Sequence, residues 1–126
     1  MGRSVLIVDD SSVIRTFLKS YLPPERGYSV REAANGLEAV EAFRQVRADI
    51  TFLDLTMPVM DGVTALGEMM ALEPKAVVII VTADVQPRSI ERVMGMGAFS
   101  VIKKPPIREK VQEVLGLAEA RLAEGS

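Results

Sequence analysis

Histidine is absent from all 126 residues, and so are cysteine and tryptophan. Without histidine the chain has no imidazole general base, no imidazole metal ligand and no phosphohistidine of its own. Without cysteine it has no disulfide framework and no thiolate chemistry, which fits a reducing compartment. No apolar run approaches the ~20 residues that a membrane-spanning helix needs, and the first such run is too short for a signal peptide. Excess positive charge is missing as well. The net charge is −2, which gives no electrostatic reason to expect a nucleic-acid partner. What remains is a globular composition, 48% hydrophobic and 25% charged, at a length that fills one domain. The expectation is a soluble, cytoplasmic protein with no membrane insertion and no nucleic acid bound.

Strand-like apolar runs alternate with segments of helical period, the pattern of an α/β domain with a parallel sheet. Residues 13–22 carry a stripe of Val13, Ile14, Phe17, Leu18, Tyr21 and Leu22. Ser11 or Ser12 suits its start and Pro23-Pro24 its end. A second helix is expected to bury Leu37, Val40, Phe43 and Val46. A third begins near Gly62 and buries Val63, Leu66 and Met70. A fourth begins near Pro87, a residue suited to the first helical position, and buries Ile90, Val93 and Met94. The last follows Pro105-Pro106, with Ile107, Val111, Val114, Leu115, Ala118 and Leu122 inward. The runs Val5–Val8, Ile50–Leu53 and Ala76–Val81 are mostly apolar and read as central strands. Tyr28–Arg31 and Phe99–Ile102 mix in polar residues and read as edges. Right-handed crossovers then favour a five-stranded parallel sheet of order 2-1-3-4-5, flavodoxin-like and three-layered, with the switch point between strands 1 and 3.

Four of these strands lead into polar groups: Asp9-Asp10, Asp54, Thr82 and Lys103-Lys104. Ligand sites of open α/β sheets lie at that edge. Three neighbouring carboxylates repel one another, so something positive belongs among them. Mg²⁺ is a hard cation that accepts carboxylate, water and phosphate oxygens. Lys104 adds an ammonium and Thr82 a hydroxyl. A carboxylate is also a nucleophile that forms an aspartyl phosphate. In phosphoryl transfer the protein mainly positions groups and neutralises charge. The set therefore suits attack by Asp54, neutralisation by Mg²⁺ and Lys104, and a Thr82 bond to a phosphoryl oxygen. Taken singly, each residue has a plainer reading: Asp9-Asp10 as helix caps, Thr82 as a strand former, Lys104 as a solvated cation. Asp61 reads as a turn or cap residue. The seven methionines read as core filler.

The chain resembles the receiver domains of two-component response regulators, most closely the stand-alone, CheY-like chemotaxis type. The resemblance rests on Val5-Leu6-Ile7-Val8-Asp9-Asp10, on the run from Asp54 through Met57-Pro58 to Asp61-Gly62, on Val81-Thr82-Ala83 and on Lys104-Pro105. It covers essentially residues 1–126 as a single receiver domain with no effector domain. It implies Asp54 as phosphoacceptor, Asp9 and Asp10 as the acidic pair for Mg²⁺, and the Thr56 carbonyl as a further ligand. Thr82 and Lys104 match the switch hydroxyl and the phosphate-binding lysine, and Lys104-Pro105 matches a usually cis peptide. Thr56 and Asp84 match positions that tune the lifetime of the phosphorylated state.

The implied partners are a histidine kinase or histidine phosphotransfer protein and a downstream protein target on the face from Pro87 to Ala118. The implied function is a phosphorylation-dependent signalling switch in chemotaxis or motility, regulatory and not an enzyme. A phosphorelay shuttle is the alternative. The chain departs from the family where an aromatic residue usually stands on the last strand. That position is Val101, and Phe99, two residues earlier, is expected on the same face as a substitute. Pro106 replaces a residue commonly aromatic or hydrophobic. A phosphatase of the haloacid dehalogenase type fits less well, because Thr56 stands where its second Asp belongs. A flavodoxin-like cofactor carrier lacks the phosphate loop it needs.

Overall fold

In the computed structural model, which describes residues 2–125, five strands alternate with five helices. The chain runs β1 (Ser4–Val8), α1 (Ser12–Tyr21), β2 (Ser29–Ala33), α2 (Gly36–Gln45), β3 (Ile50–Leu53), α3 (Gly62–Leu72), β4 (Val77–Thr82), α4 (Pro87–Gly95), β5 (Ser100–Lys103) and α5 (Arg108–Gly125). One turn of 3₁₀ helix, Pro24–Arg26, follows α1 and ends on Gly27 in the left-handed region (φ 64°). All strands are parallel, in the order β2-β1-β3-β4-β5 expected from their polarity. Every residue of β3 and β4 is buried, whereas β2 and β5 keep partly exposed positions. None of the described helices is long and apolar enough to cross a membrane.

Two apolar layers sandwich the sheet. One holds Leu6, Val8, Leu53, Val78 and Ile80 against Val40 and Phe43 of α2, Leu66 and Met69 of α3 and Val93 of α4. The other holds Val5, Ile7, Ile50, Phe52, Ile79 and Ile102 against Leu18 of α1 and Val111, Val114, Leu115 and Ala118 of α5. Alternate residues of each central strand feed opposite layers, so both faces are apolar apart from Thr51 of β3 and the runs read as mostly apolar. Full burial of one Leu or Ile in such a layer contributes roughly 1.5–3 kcal/mol.

Four helix stripes are narrower than their sequence suggests. On α1, Leu18 is buried and Ile14 partly so, but Val13 is 58% and Phe17 44% exposed. Positions 14, 18 and 22 form the inward line; 13, 17 and 21 are one residue further round the helix. Phe17 instead stacks on Tyr21, with ring centroids 6.4 Å apart. On α2, Leu37 and Val46 lie at the ends of the stripe and are exposed, while Ala39 joins Val40 and Phe43 inside. Ile107, just before α5, and Met94 near the end of α4 are exposed as well. Elsewhere the cap residues follow expectation: Ser11 Oγ accepts from Ile14 N–H and Asp61 Oδ1 from Thr64 N–H.

Phe99 does not share a face with Val101. Regular pairing of β5 begins only at Ser100, opposite Ile79. Phe99 precedes it, donates its N–H to the Val78 carbonyl and packs in the layer of α1 and α5, with the Arg121 guanidinium 5.8 Å from its ring centroid. Val101 packs in the opposite layer, with α2, α3 and α4. The two-residue period that put them together holds only inside a strand, so Phe99 is no substitute for the missing aromatic.

Candidate functional site

The parallel register brings the strand ends level. Val8 pairs with Leu53, and Leu53 with Ile80, so the next residues, Asp9 and Asp54, stand side by side. Thr82, last in β4, pairs with Lys103, and Lys104 follows. Backbone bonds fix these positions: Asp9 N–H donates to Ala33 O (3.1 Å), Asp54 N–H to Val8 O (3.0 Å) and Lys104 N–H to Thr82 O (2.9 Å). Glycine closes the wall behind Asp54. A Cβ at Gly62 would run into the Asp54 carbonyl oxygen, so only glycine lets α3 start this close to the strand. Between them lies Val59, with φ 68° and 77% exposed, a conformation costly for a β-branched residue.

Asp9, Asp10 and Asp54 each offer a carboxylate oxygen within 4.8 Å of the others. Asp9 and Asp54 are buried and Asp10 is exposed. Asp9 Oδ1 accepts from Ser11 N–H (2.9 Å) and Asp54 Oδ1 from Thr56 N–H (3.3 Å). Lys104 Nζ lies 2.8 Å from Asp9 Oδ2 and 3.3 Å from Asp54 Oδ2. The approach to Asp9 Oδ2 is off the hydrogen-bonding direction, so that buried oxygen has its charge balanced but lacks a directed donor. Hard oxygen donors at this spacing, one of them still short of a partner, suit a divalent cation.

The carboxyl of Asp54 is raised above the usual aspartate range by burial and by the charge of Asp9, against the pull of Lys104 and the Thr56 N–H. Burial works against the ammonium of Lys104, but its contact with Asp9 and the charges of Asp54 and Asp9 outweigh that, and it titrates above its ordinary value. Added positive charge beside Asp54 would draw its raised carboxyl back toward the ordinary range, as Lys104 already does in part.

Every strand-end residue singled out in the sequence comes to this edge. Thr82 is buried and its Oγ1 accepts from Asp84 N–H (3.0 Å). The Asp84 carboxylate turns to the start of α4, accepting from Gln86 N–H (3.2 Å) and Ser89 Oγ (2.6 Å). Thr56 is exposed at the rim. The Lys104-Pro105 peptide is cis. One residue that the sequence did not mark also reaches the site: Arg15 of α1 donates to the Asp9 carbonyl (2.6 Å). Its only signal in sequence was a cation on the first helix, six residues past Asp9.

Comparison with known proteins agrees with this geometry. The family model described as the response regulator receiver domain matches residues 5–115. The chemotaxis protein CheY of Thermotoga maritima is 40% identical over 116 residues, covering 91% of this chain and 96% of that protein. The chemotaxis protein CheY of Listeria monocytogenes is 41% identical over 111 residues, covering 88% and 93%. A crystal structure of a CheX–CheY complex with BeF3 and Mg²⁺ from Borrelia burgdorferi superposes with a TM-score of 0.84 at 35% identity, covering 91% of this chain and 88% of that one.

Proposed function

This chain belongs to the response regulator receiver family, and we propose that it is a phosphorylation-dependent switch that takes a phosphoryl group on Asp54. The observation that carries the reading is Asp54 itself, buried at a strand end between two acids and one lysine. An Asp54 carboxylate oxygen attacks phosphorus of a phosphohistidine on a partner histidine kinase. The P–O bond forms as the P–N bond breaks, and the imidazole nitrogen that leaves takes up a proton from solvent. Asp9, Asp10, Asp54 and the Thr56 carbonyl would hold Mg²⁺, which would supply neutralising charge to the phosphoryl oxygens. Lys104 supplies the second positive charge. The buried Thr82 hydroxyl donates to a phosphoryl oxygen.

The output passes through the β4–α4 connection. The Thr82 hydroxyl oxygen holds the Asp84 N–H, and the Asp84 carboxylate holds the first turn of α4 through Gln86 and Ser89. Drawing Thr82 toward a phosphoryl group loosens that chain and repositions α4. The face spanning residues 87–118 then engages a protein target of a motility system, a reading supported by relatives named as chemotaxis proteins. Transfer to a histidine phosphotransfer protein is the second reading, and it uses the same acyl phosphate.

Intact-protein mass spectrometry after incubation with acetyl phosphate tests the proposal. The expected result is a gain of one phosphoryl group that needs Mg²⁺ and is lost in Asp54→Asn. No gain, together with no beryllofluoride binding, would overturn it. Substituting Thr56 or Asp84 is expected to change the decay of the phosphorylated form while leaving its formation intact.

A further inference from the structure

We infer that Arg15 is a positioning residue of the acidic site: braced on Glu32, its guanidinium holds the Asp9 carbonyl and so sets the Asp9–Asp10 turn in the shape that takes Mg²⁺. The inference rests on the proposed metal-dependent function. Its observations are independent of it. β1 ends at Val8, so the Asp9 carbonyl lies beyond the last residue of the strand. Arg15 Nη1 donates to that carbonyl at 2.6 Å while Nε donates to Glu32 Oε1 of β2 at 2.9 Å. Lys19, one turn further along α1, holds the other Glu32 oxygen at 3.3 Å. With Asp9 N–H bound to Ala33, both backbone polar groups of Asp9 are tied toward β2. The Arg15 side chain is only 18% exposed, so this fork is held by its surroundings as well as by its charge.

Position and charge predict opposite signs. A nearby guanidinium repels a metal ion, so on charge alone removing it should tighten Mg²⁺ binding. The Glu32 carboxylate, held below the usual range first by the Arg15 bond and also by Lys19, lies against the guanidinium and offsets part of its charge locally. What Arg15 adds to the site is therefore geometry. A forked guanidinium spans two acceptors that a lysine ammonium on its flexible stem does not hold in fixed relation. Loss of groups that orient metal ligands typically costs about 10–100-fold in metal affinity.

Titration calorimetry with MgCl₂ on wild type, Arg15→Met and Arg15→Lys tests this, alongside metal-free urea unfolding of each. Expected is a loss of about 10-fold in Mg²⁺ affinity in both variants. Arg15→Lys, which keeps the charge, carries the test if Arg15→Met does not fold. Unchanged or tighter binding in Arg15→Lys overturns the inference and leaves the functional reading standing. A lower unfolding midpoint with unchanged affinity overturns it too, showing a purely structural bridge. Wild-type protein that takes no Mg²⁺ overturns both the functional reading and this inference.

Discussion

Asp54→Asn is expected to make the metal-free protein more stable, although it removes one partner of Lys104. The magnitude follows from the geometry. At an effective dielectric constant of about 20, repulsion between carboxylates within 4.8 Å is ~3.5 kcal/mol or more, and attraction to an ammonium at 3.3 Å is ~5 kcal/mol. Repulsion from buried Asp9 and attraction to Lys104 thus offset to within ~2 kcal/mol, exposed Asp10 adds a solvent-screened repulsion, and burial, the largest influence on the Asp54 carboxyl, tips the balance against its charge. Asn keeps the volume, removes the charge and leaves an oxygen for Lys104. Urea unfolding in EDTA should show a midpoint higher by roughly 1 M with an unchanged slope.

Acid should narrow the gap. The folded Asp54 binds its proton more readily than the unfolded chain does, because its carboxyl is raised. The stability linked to that proton is fully present at low pH and is lost as pH rises through the folded value. The advantage of Asn therefore shrinks as pH falls into that range. Mg²⁺ should narrow it too, since at 100 times its dissociation constant a ligand adds ~2.7 kcal/mol to the form that binds it. An Asp54→Asn protein less stable than wild type without metal would refute the reasoning and make Lys104 the dominant neighbour.

Three further outcomes follow from other residues. Thr51, buried in mid-strand, has a hydroxyl with no hydrogen-bond partner among the described residues; Thr51→Val should raise stability by about 1 kcal/mol in urea unfolding. Gly62→Ala forces a methyl against the Asp54 carbonyl and should cost about 1–3 kcal/mol while slowing phosphorylation from acetyl phosphate. The Tyr28 hydroxyl, half-buried and bonded to Glu119 (2.7 Å), is pushed up to about 12 by burial and by Glu119. Absorbance titration should resolve it from Tyr21, and stability linked to its proton should fall as pH rises through that range, with Glu119→Gln lowering the transition.

Sheet order and site were legible in the sequence for one reason: both depend on strands, where burial of two faces leaves an unbroken apolar run and the residue after it marks the edge. Asp9, Asp54, Thr82 and Lys104 needed only that reading to be brought together. Helix faces were less legible. Val13 and Ile14 are adjacent in sequence and 100° apart on the helix, and periodicity gives the width of a stripe without saying which side meets the sheet. Phe99 misled because the strand begins one residue later than its composition suggests. Arg15 was invisible because its partners, Asp9 just past β1 and Glu32 in β2, come together only through the pairing of those two strands. Thr51 gave no signal either: threonine suits strands, and only the packed layer shows that its hydroxyl is stranded.

Lys104, the residue just past β5, has two carboxylates beside it, at 2.8 Å and 3.3 Å. On the proposed function, an incoming phosphoryl group competes for this cation with anions already in place. The same competition runs backward: when the acyl phosphate of that reading is cleaved, Asp9 and Asp54 stand ready to take the lysine again.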